Sequence, residues 1–167
     1  MPDYYSPEGN FEVWNEKPDG YCTPEEWAEM HPAPPAEPPP LADVKAAKIA
    51  AIDANTSRLI LAGFDYEVAG TAYRFGYDAE DQGNFTKATL AATLSIVMQQ
   101  PFGQPWRGWR DGEPNTLMLD AQGMIALATF AGVNHQQGLL QSGWDLTAHV
   151  RECGTLAEVE AVVDDRE

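Results

Sequence analysis

The chain has 167 residues, 44% of them hydrophobic, with 26 acidic and 10 basic side chains and a formal net charge of −16. That length holds one domain plus an appendage, and a globular part of ~120 residues buries roughly two-thirds of its unfolded surface, so a core needs neither metal nor disulfide. The carboxylate excess disfavours nucleic acid, whose phosphates must be met by Lys and Arg, and disfavours an anionic membrane surface for the same reason.

Acidity is densest at the start, where residues 1–40 hold nine acids and one base. Tyr4-Tyr5-Ser6 and Phe11-Glu12-Val13-Trp14 flank Pro7-Glu8-Gly9-Asn10, which predicts a short hairpin. Thr23-Pro24-Glu25-Glu26 predicts a helix start: Thr23 caps, Pro24 takes the first helical position and Glu26 completes the capping box. Trp27 and Met30 share one face of that helix. Residues 1–31 are too few to fold alone, so this module is expected to bury its aromatics on the main domain, on a second copy or on a partner. Tyr4, Tyr5, Phe11, Trp14 and Trp27 are its candidate contact residues. No basic n-region followed by an apolar run opens the chain, so no secretion signal is read there.

Ten of the 13 prolines fall in the first 40 residues. The run from His31 to Pro40 predicts an extended, semi-rigid spacer. It divides the chain into an N-terminal module (1–31), a linker (32–40) and a main domain (41–167).

Leu41 to Ala62 is alanine-rich, with Leu41, Val44, Ile49, Ile52, Leu59 and Ile60 at three- and four-residue steps, which predicts a long helix stopped by Gly63. Phe64, Tyr66 and Val68 then alternate with acids, and Tyr73, Phe75 and Tyr77 alternate beyond a Gly-containing turn. This predicts a β-hairpin with one aromatic face, of which Phe64, Tyr66, Tyr73 and Phe75 belong to the core. Asp78 is the N-cap of a second helix running to about Gln100, with Phe85, Leu90, Leu94, Ile96, Val97 and Met98 as its apolar residues.

Trp106-Arg107-Gly108-Trp109-Arg110 and Thr116-Leu117-Met118-Leu119 predict a second hairpin around a five-residue turn, Asp111 to Asn115. Trp106 and Trp109, three apart on a strand, face opposite sides. Both are candidate contact residues: either both pack in the core or at its rim, or one is exposed beside Arg107 or Arg110 as an interface anchor. Asp120 caps a third helix reaching Leu146, and Gly132, Gly138 and Gly143 predict a kink or break within it. Thr155-Leu156-Ala157-Glu158 opens a short terminal helix. The fold class is therefore α+β and mainly helical: three long helices separated by two antiparallel hairpins, with a short terminal helix and a small N-terminal hairpin–helix module.

Sites for chemistry are sparse. Asp78 to Gly83 resembles the opening of a calcium loop, but its twelfth position is Thr89 rather than a bidentate Glu. His135 and His149, 14 residues apart, would stand ~21 Å apart on one helix, too far to share a metal. Cys22 and Cys153 form no CxxC motif and are read as free thiols in a reducing cytosol. No nucleophile elbow, P-loop or dinucleotide fingerprint is present. No catalytic residue, cofactor or metal is expected, and the chain reads as a non-enzyme.

Gly63, Phe64, Tyr66, Tyr73, Phe75, Asp78, Gln82 and Asn84 together form a pattern. It continues through Trp106 or Trp109, Asp111, Leu117-Met118-Leu119-Asp120 and Gly154-Thr155-Leu156-Ala157-Glu158-Val159. This pattern resembles a domain of unknown function found at the C-terminal end of phage and prophage tail-fibre or tail-fibre-assembly proteins. The resemblance spans roughly residues 41–163. The Tyr-Tyr-Ser-x-x-Gly-x-Phe start and Glu-Glu-Trp helix are similar to the N-terminal ends of tail-fibre-assembly proteins. The resemblance implies a virion component or an assembly chaperone that contacts a tail fibre or other tail protein. It implies a place in the bacterial cytoplasm during assembly or in the virion tail, with a homo-oligomer as a further possibility. The alternatives are an acidic inhibitor or immunity-type protein that mimics a polyanion, and a small enzyme with an unrecognised site.

Overall fold

In the computed structural model, which describes residues 2–32 and 37–166, the chain divides into two compact units, Met1–Pro39 and Pro40–Glu167. Residues 33–36 of the proline-rich spacer lie outside the described residues.

The first unit pairs β1 (Asp3–Tyr5) with β2 (Phe11–Val13) in antiparallel register, Tyr5 opposite Phe11. Its helix, α1 (Pro24–Met30), starts from the reciprocal Thr23–Glu26 capping box with Pro24 in the first turn. Tyr4 and Ser6 are its buried residues. The rest is held by ring stacking: Tyr5 lies on Trp27 at 5.2 Å between centroids, Trp27 on His31 at 3.9 Å, and Trp14 meets Tyr21 edge-on at 6.3 Å. Trp27, expected to seek a partner outside this module, is thus sandwiched within it.

The second unit is α+β, with its strands in one antiparallel sheet. Helix α2 (Leu41–Leu61) ends where Gly63 takes φ +84°, the left-handed backbone that a helix stop favours. A Cβ on Gly63 would run into the Phe75 carbonyl oxygen, so the residue must also be small. Strands β3 (Phe64–Val68) and β4 (Thr71–Phe75) pair with Tyr66 opposite Tyr73. They are joined by Ala69 and Gly70 at φ +50° and +79°, the signature of a type I′ turn, whose twist matches the strands. Helix α3 (Ala79–Val97) opens on the Asp78–Asp81 capping box.

Strands β5 (Gln104–Arg110) and β6 (Glu113–Leu119) complete the order β3-β4-β5-β6. Their turn corrects the sequence reading. It is two residues long, Asp111 and Gly112 at φ +54° and +82°, and Arg110 pairs with Glu113. Pro114, placed in the turn by the sequence reading, sits opposite Trp109 on the edge strand β6. There its missing N–H falls on the unpaired side and costs the ladder nothing. The two hairpins are joined by a single pair, Arg74 with Trp109.

The third long helix also differs from expectation. Instead of breaking at its glycines, the chain runs through α4 (Ala121–Thr129), a π-helical segment (Phe130–Gln137) and α5 (Gly138–Glu152), followed by α6 (Leu156–Ala161). In an i→i+5 helix, residues five apart share a face. Phe130 and His135 accordingly both meet Phe64, at 5.6 and 5.3 Å. His135 Nε2 lies 2.9 Å from the Ile60 carbonyl and donates to it beside the longer 3.4 Å bond from the Gly63 N–H, as suits a carbonyl in the last helical turn.

Two clusters form the core. The larger joins Phe64, Phe75, Tyr77 and Phe85 to Met124, Leu127 and Ala131, with Tyr66, Tyr73 and Trp106 packed at its margin. The smaller joins Ile52 of α2 to Val150, Cys153, Val159 and Val162. There α2 and α5 approach closely at Gly143, where a Cβ would come within 2.6 Å of Thr56 Oγ1.

Candidate interaction surfaces

The first surface belongs to the N-terminal unit. Three-residue strands and a seven-residue helix leave more apolar side chain than they can cover. Phe11 is 56% and Trp14 46% exposed, and Val13 and Met30 are exposed beside them. The Trp14 indole nitrogen donates to Glu12 at 3.0 Å and the Tyr21 hydroxyl to the same carboxylate at 3.2 Å. That arrangement fixes the indole while leaving one ring face open. Of the five candidates here, Phe11 and Trp14 face solvent, Tyr5 and Trp27 are half-buried in the stack, and Tyr4 is buried.

The second surface lies on β5, between β4 and β6 in the sheet. Trp106 turns inward, its ring 4.6 Å from that of Phe85. Trp109 turns outward opposite Arg74 and is partly exposed. Arg74 is held by the Asp65 carboxylate at 3.2 Å and the Ala62 carbonyl at 2.9 Å. An open cleft of about 600 Å3 runs from α3 to β5, lined by Asp81, Asn84, Lys87, Gln104, Arg107 and Trp109. Burial pushes the Asp81 carboxyl upward, against the pull of the Asp78 backbone N–H. Asp78 and Asp81, read as the start of a calcium-like loop, are committed to capping each other's backbone.

A third surface was missed at the sequence level. Of the apolar residues assigned to α3, only Phe85 is buried, joined by Ala88 and Ala92. Leu90, Leu94, Ile96, Val97 and Met98 are exposed. The available signal was that α3 carries apolar residues around more of its circumference than one core face can use.

Charge chemistry within the core is concentrated at Arg166. Its guanidinium forms a two-point pair with Asp164 at 2.7 Å and also donates to the Leu139 carbonyl, Ser142 Oγ and the Ile52 carbonyl. Arg166 and then Asn55 hold the Asp164 carboxyl far below the usual carboxylate range, outweighing its burial. This pair ties the last described residues to α2 and α5. Among the described residues, no three His, Cys, Asp or Glu side chains converge enough to hold a metal ion.

A family model described as "Domain of unknown function (DUF4376)" matches residues 43–166. The chain belongs to this family. No curated protein and no solved structure matches it. The DUF4376 match begins inside α2 and ends at Arg166, so it takes in both hairpins, the π segment and the Asp164–Arg166 pair but none of the first unit. The β5 surface and the outward face of α3 are therefore surfaces of the DUF4376 domain, whereas Phe11 and Trp14 lie outside it. Among the described residues, no helix is long and apolar enough to cross a membrane.

Proposed function

We propose that this DUF4376 protein is a non-enzymatic phage or prophage tail protein that works by protein–protein contact, as a tail-fibre-associated component or a tail-fibre assembly factor. The observation that carries the contact role is the unburied apolar array of Phe11, Val13, Trp14 and Met30 on a unit of 39 residues. Apolar area of this kind on a small, otherwise acidic module marks a docking surface, and Trp is the residue type most often found to dominate such contacts. The tail context rests on the sequence pattern around Gly63–Phe75 and Asp78–Asn84, and on the similar N-terminal layout. In this reading Phe11 and Trp14 engage a tail fibre or another tail protein, with Trp109 as a second anchor. Assembly takes place in the bacterial cytoplasm.

Co-expression of the full chain with the fibre protein encoded beside it tests the proposal. Phe11→Ser with Trp14→Ser should lower recovery of the complex at least tenfold while the far-UV circular dichroism stays unchanged. Full recovery by the double variant rejects the N-terminal contact. Mass spectrometry of purified particles separates the two roles: the chain persists in particles if it is a component and is absent if it is an assembly factor.

A further inference from the structure

Helix α3 is apolar on two opposite faces. Phe85, Ala88 and Ala92 (i, i+3, i+7) face the core. Leu90, Leu94 and Val97 (i, i+4, i+7) point away from it and are 61%, 48% and 74% exposed. A helix with a second apolar stripe is built to be covered twice. From Leu90 to Val97 the stripe is ~10 Å long, about two helical turns.

Its surroundings say what covers it. In a chain of net charge −16, residues 88–106 carry no charged side chain, and none lies between Asp120 and Asp145. Beside the stripe, α3 and α4 enclose an apolar groove of about 500 Å3, lined by Thr86, Thr89, Leu90, Thr93, Ala128 and Gly132. The groove is lined by uncharged side chains, Tyr77, Gln82 and Phe85 among them, and Leu90 is one of its walls. Lys87, seven residues before Leu94, stands at the N-terminal end of the stripe and also lines the cleft towards β5. A charged partner would gain nothing from such a face. A two-fold interface needs both a knob and its hole on the same patch, and this patch has both. Elsewhere two copies of so acidic a chain repel each other; the stripe from Leu90 to Val97 carries no charge.

The geometry points to a second copy of this chain as the occupant: α3 packs on α3 across a two-fold axis, with Leu90 of each copy seated in the α3–α4 groove of the other. Leu94 and Val97 extend the seam as ridges into grooves. The inference does not rest on the tail-protein reading and stands or falls separately from it.

Analytical ultracentrifugation of the full chain from 1 to 100 µM is the test. The weight-average mass should rise from 18.3 kDa towards twice that value. Leu90→Glu with Leu94→Glu, both exposed in the monomer, should raise the dimer Kd at least 100-fold with unchanged circular dichroism. Gly132→Gln adds a side chain where a Cβ meets nothing within 4 Å, so the monomer accommodates it. It fills the groove and should raise the Kd at least tenfold. A wild-type chain that stays monomeric at 100 µM overturns the proposal. So does a dimer whose Kd is unmoved by the paired glutamates or by Gly132→Gln.

Discussion

Gly63 shows how one residue joins two elements. Its positive φ ends α2, and its missing side chain admits the β4 backbone. Alanine there combines a left-handed penalty of about 1–2 kcal/mol with a clash against a carbonyl oxygen that belongs to a strand and cannot swing aside. Gly63→Ala should lower stability by at least about 3 kcal/mol in urea unfolding, more than twice the usual effect of a point change. The helix stop was readable from the sequence, but the Phe75 contact was not, because it depends on where a strand 12 residues away returns. Asp164 is a second such case. Removing one charge from a mostly buried, hydrogen-bonded pair costs about 3 kcal/mol, so Asp164→Asn should show a loss of that order at pH 7. The native carboxyl is held below its unfolded value of about 3.9. Its contribution is therefore complete above that value and fades as pH falls towards the folded value. The gap between wild type and Asp164→Asn should be flat from pH 5 to 8 and narrow below about pH 4. Nothing in the local sequence marked this pair, since Arg166 finds its acceptors on α2 and α5.

At the scale of elements, the alternation of Phe64, Tyr66 and Val68 with Asp65 and Glu67 was enough to locate the first hairpin and its core face. Both hairpins close through two-residue turns with positive φ at each position. In the second, Asp-Gly is well suited to that geometry. In the first, Ala69 is not, because its Cβ opposes the left-handed conformation. Ala69→Asn should raise the stability of the second unit by about 0.5–1 kcal/mol, and Ala69→Val should lower it by at least as much, both measured by thermal unfolding. The five-residue turn expected from Asp111 to Asn115 was too long: Glu113, Pro114 and Asn115 belong to β6, where the proline's missing N–H falls on the unpaired side. The edge position that frees it is a property of the whole sheet. The π segment has the same origin. Gly132 and Gly138 weaken an α-helix, but whether the chain breaks or widens is decided by the packing of Phe130 and His135 on Phe64, together with the Tyr77 hydroxyl donating to Gln136 at 2.8 Å.

Charge dominates at the scale of the whole molecule. With −16 on each copy, long-range repulsion opposes any self-association, while contact through an uncharged apolar seam is insensitive to salt. Screening therefore acts on the repulsion alone. The dimer should tighten several-fold when NaCl is raised from 0.02 to 0.2 M in sedimentation equilibrium, whereas an interface of ion pairs would loosen.

The sequence by itself determined the α+β class, the antiparallel hairpins, the helix starts at Thr23, Asp78, Asp120 and Thr155, and the aromatic core of the first hairpin. These follow from periodicity and capping, which act within a few residues. Tertiary structure alone decided which aromatics remain outside, because exposure depends on what else reaches the same place. Trp27 was taken up by Tyr5 and His31, and Trp106 by Phe85. Phe11, Trp14 and Trp109 were left uncovered, and so was the second apolar face of α3, since one helix face is all that α4 and the sheet can cover.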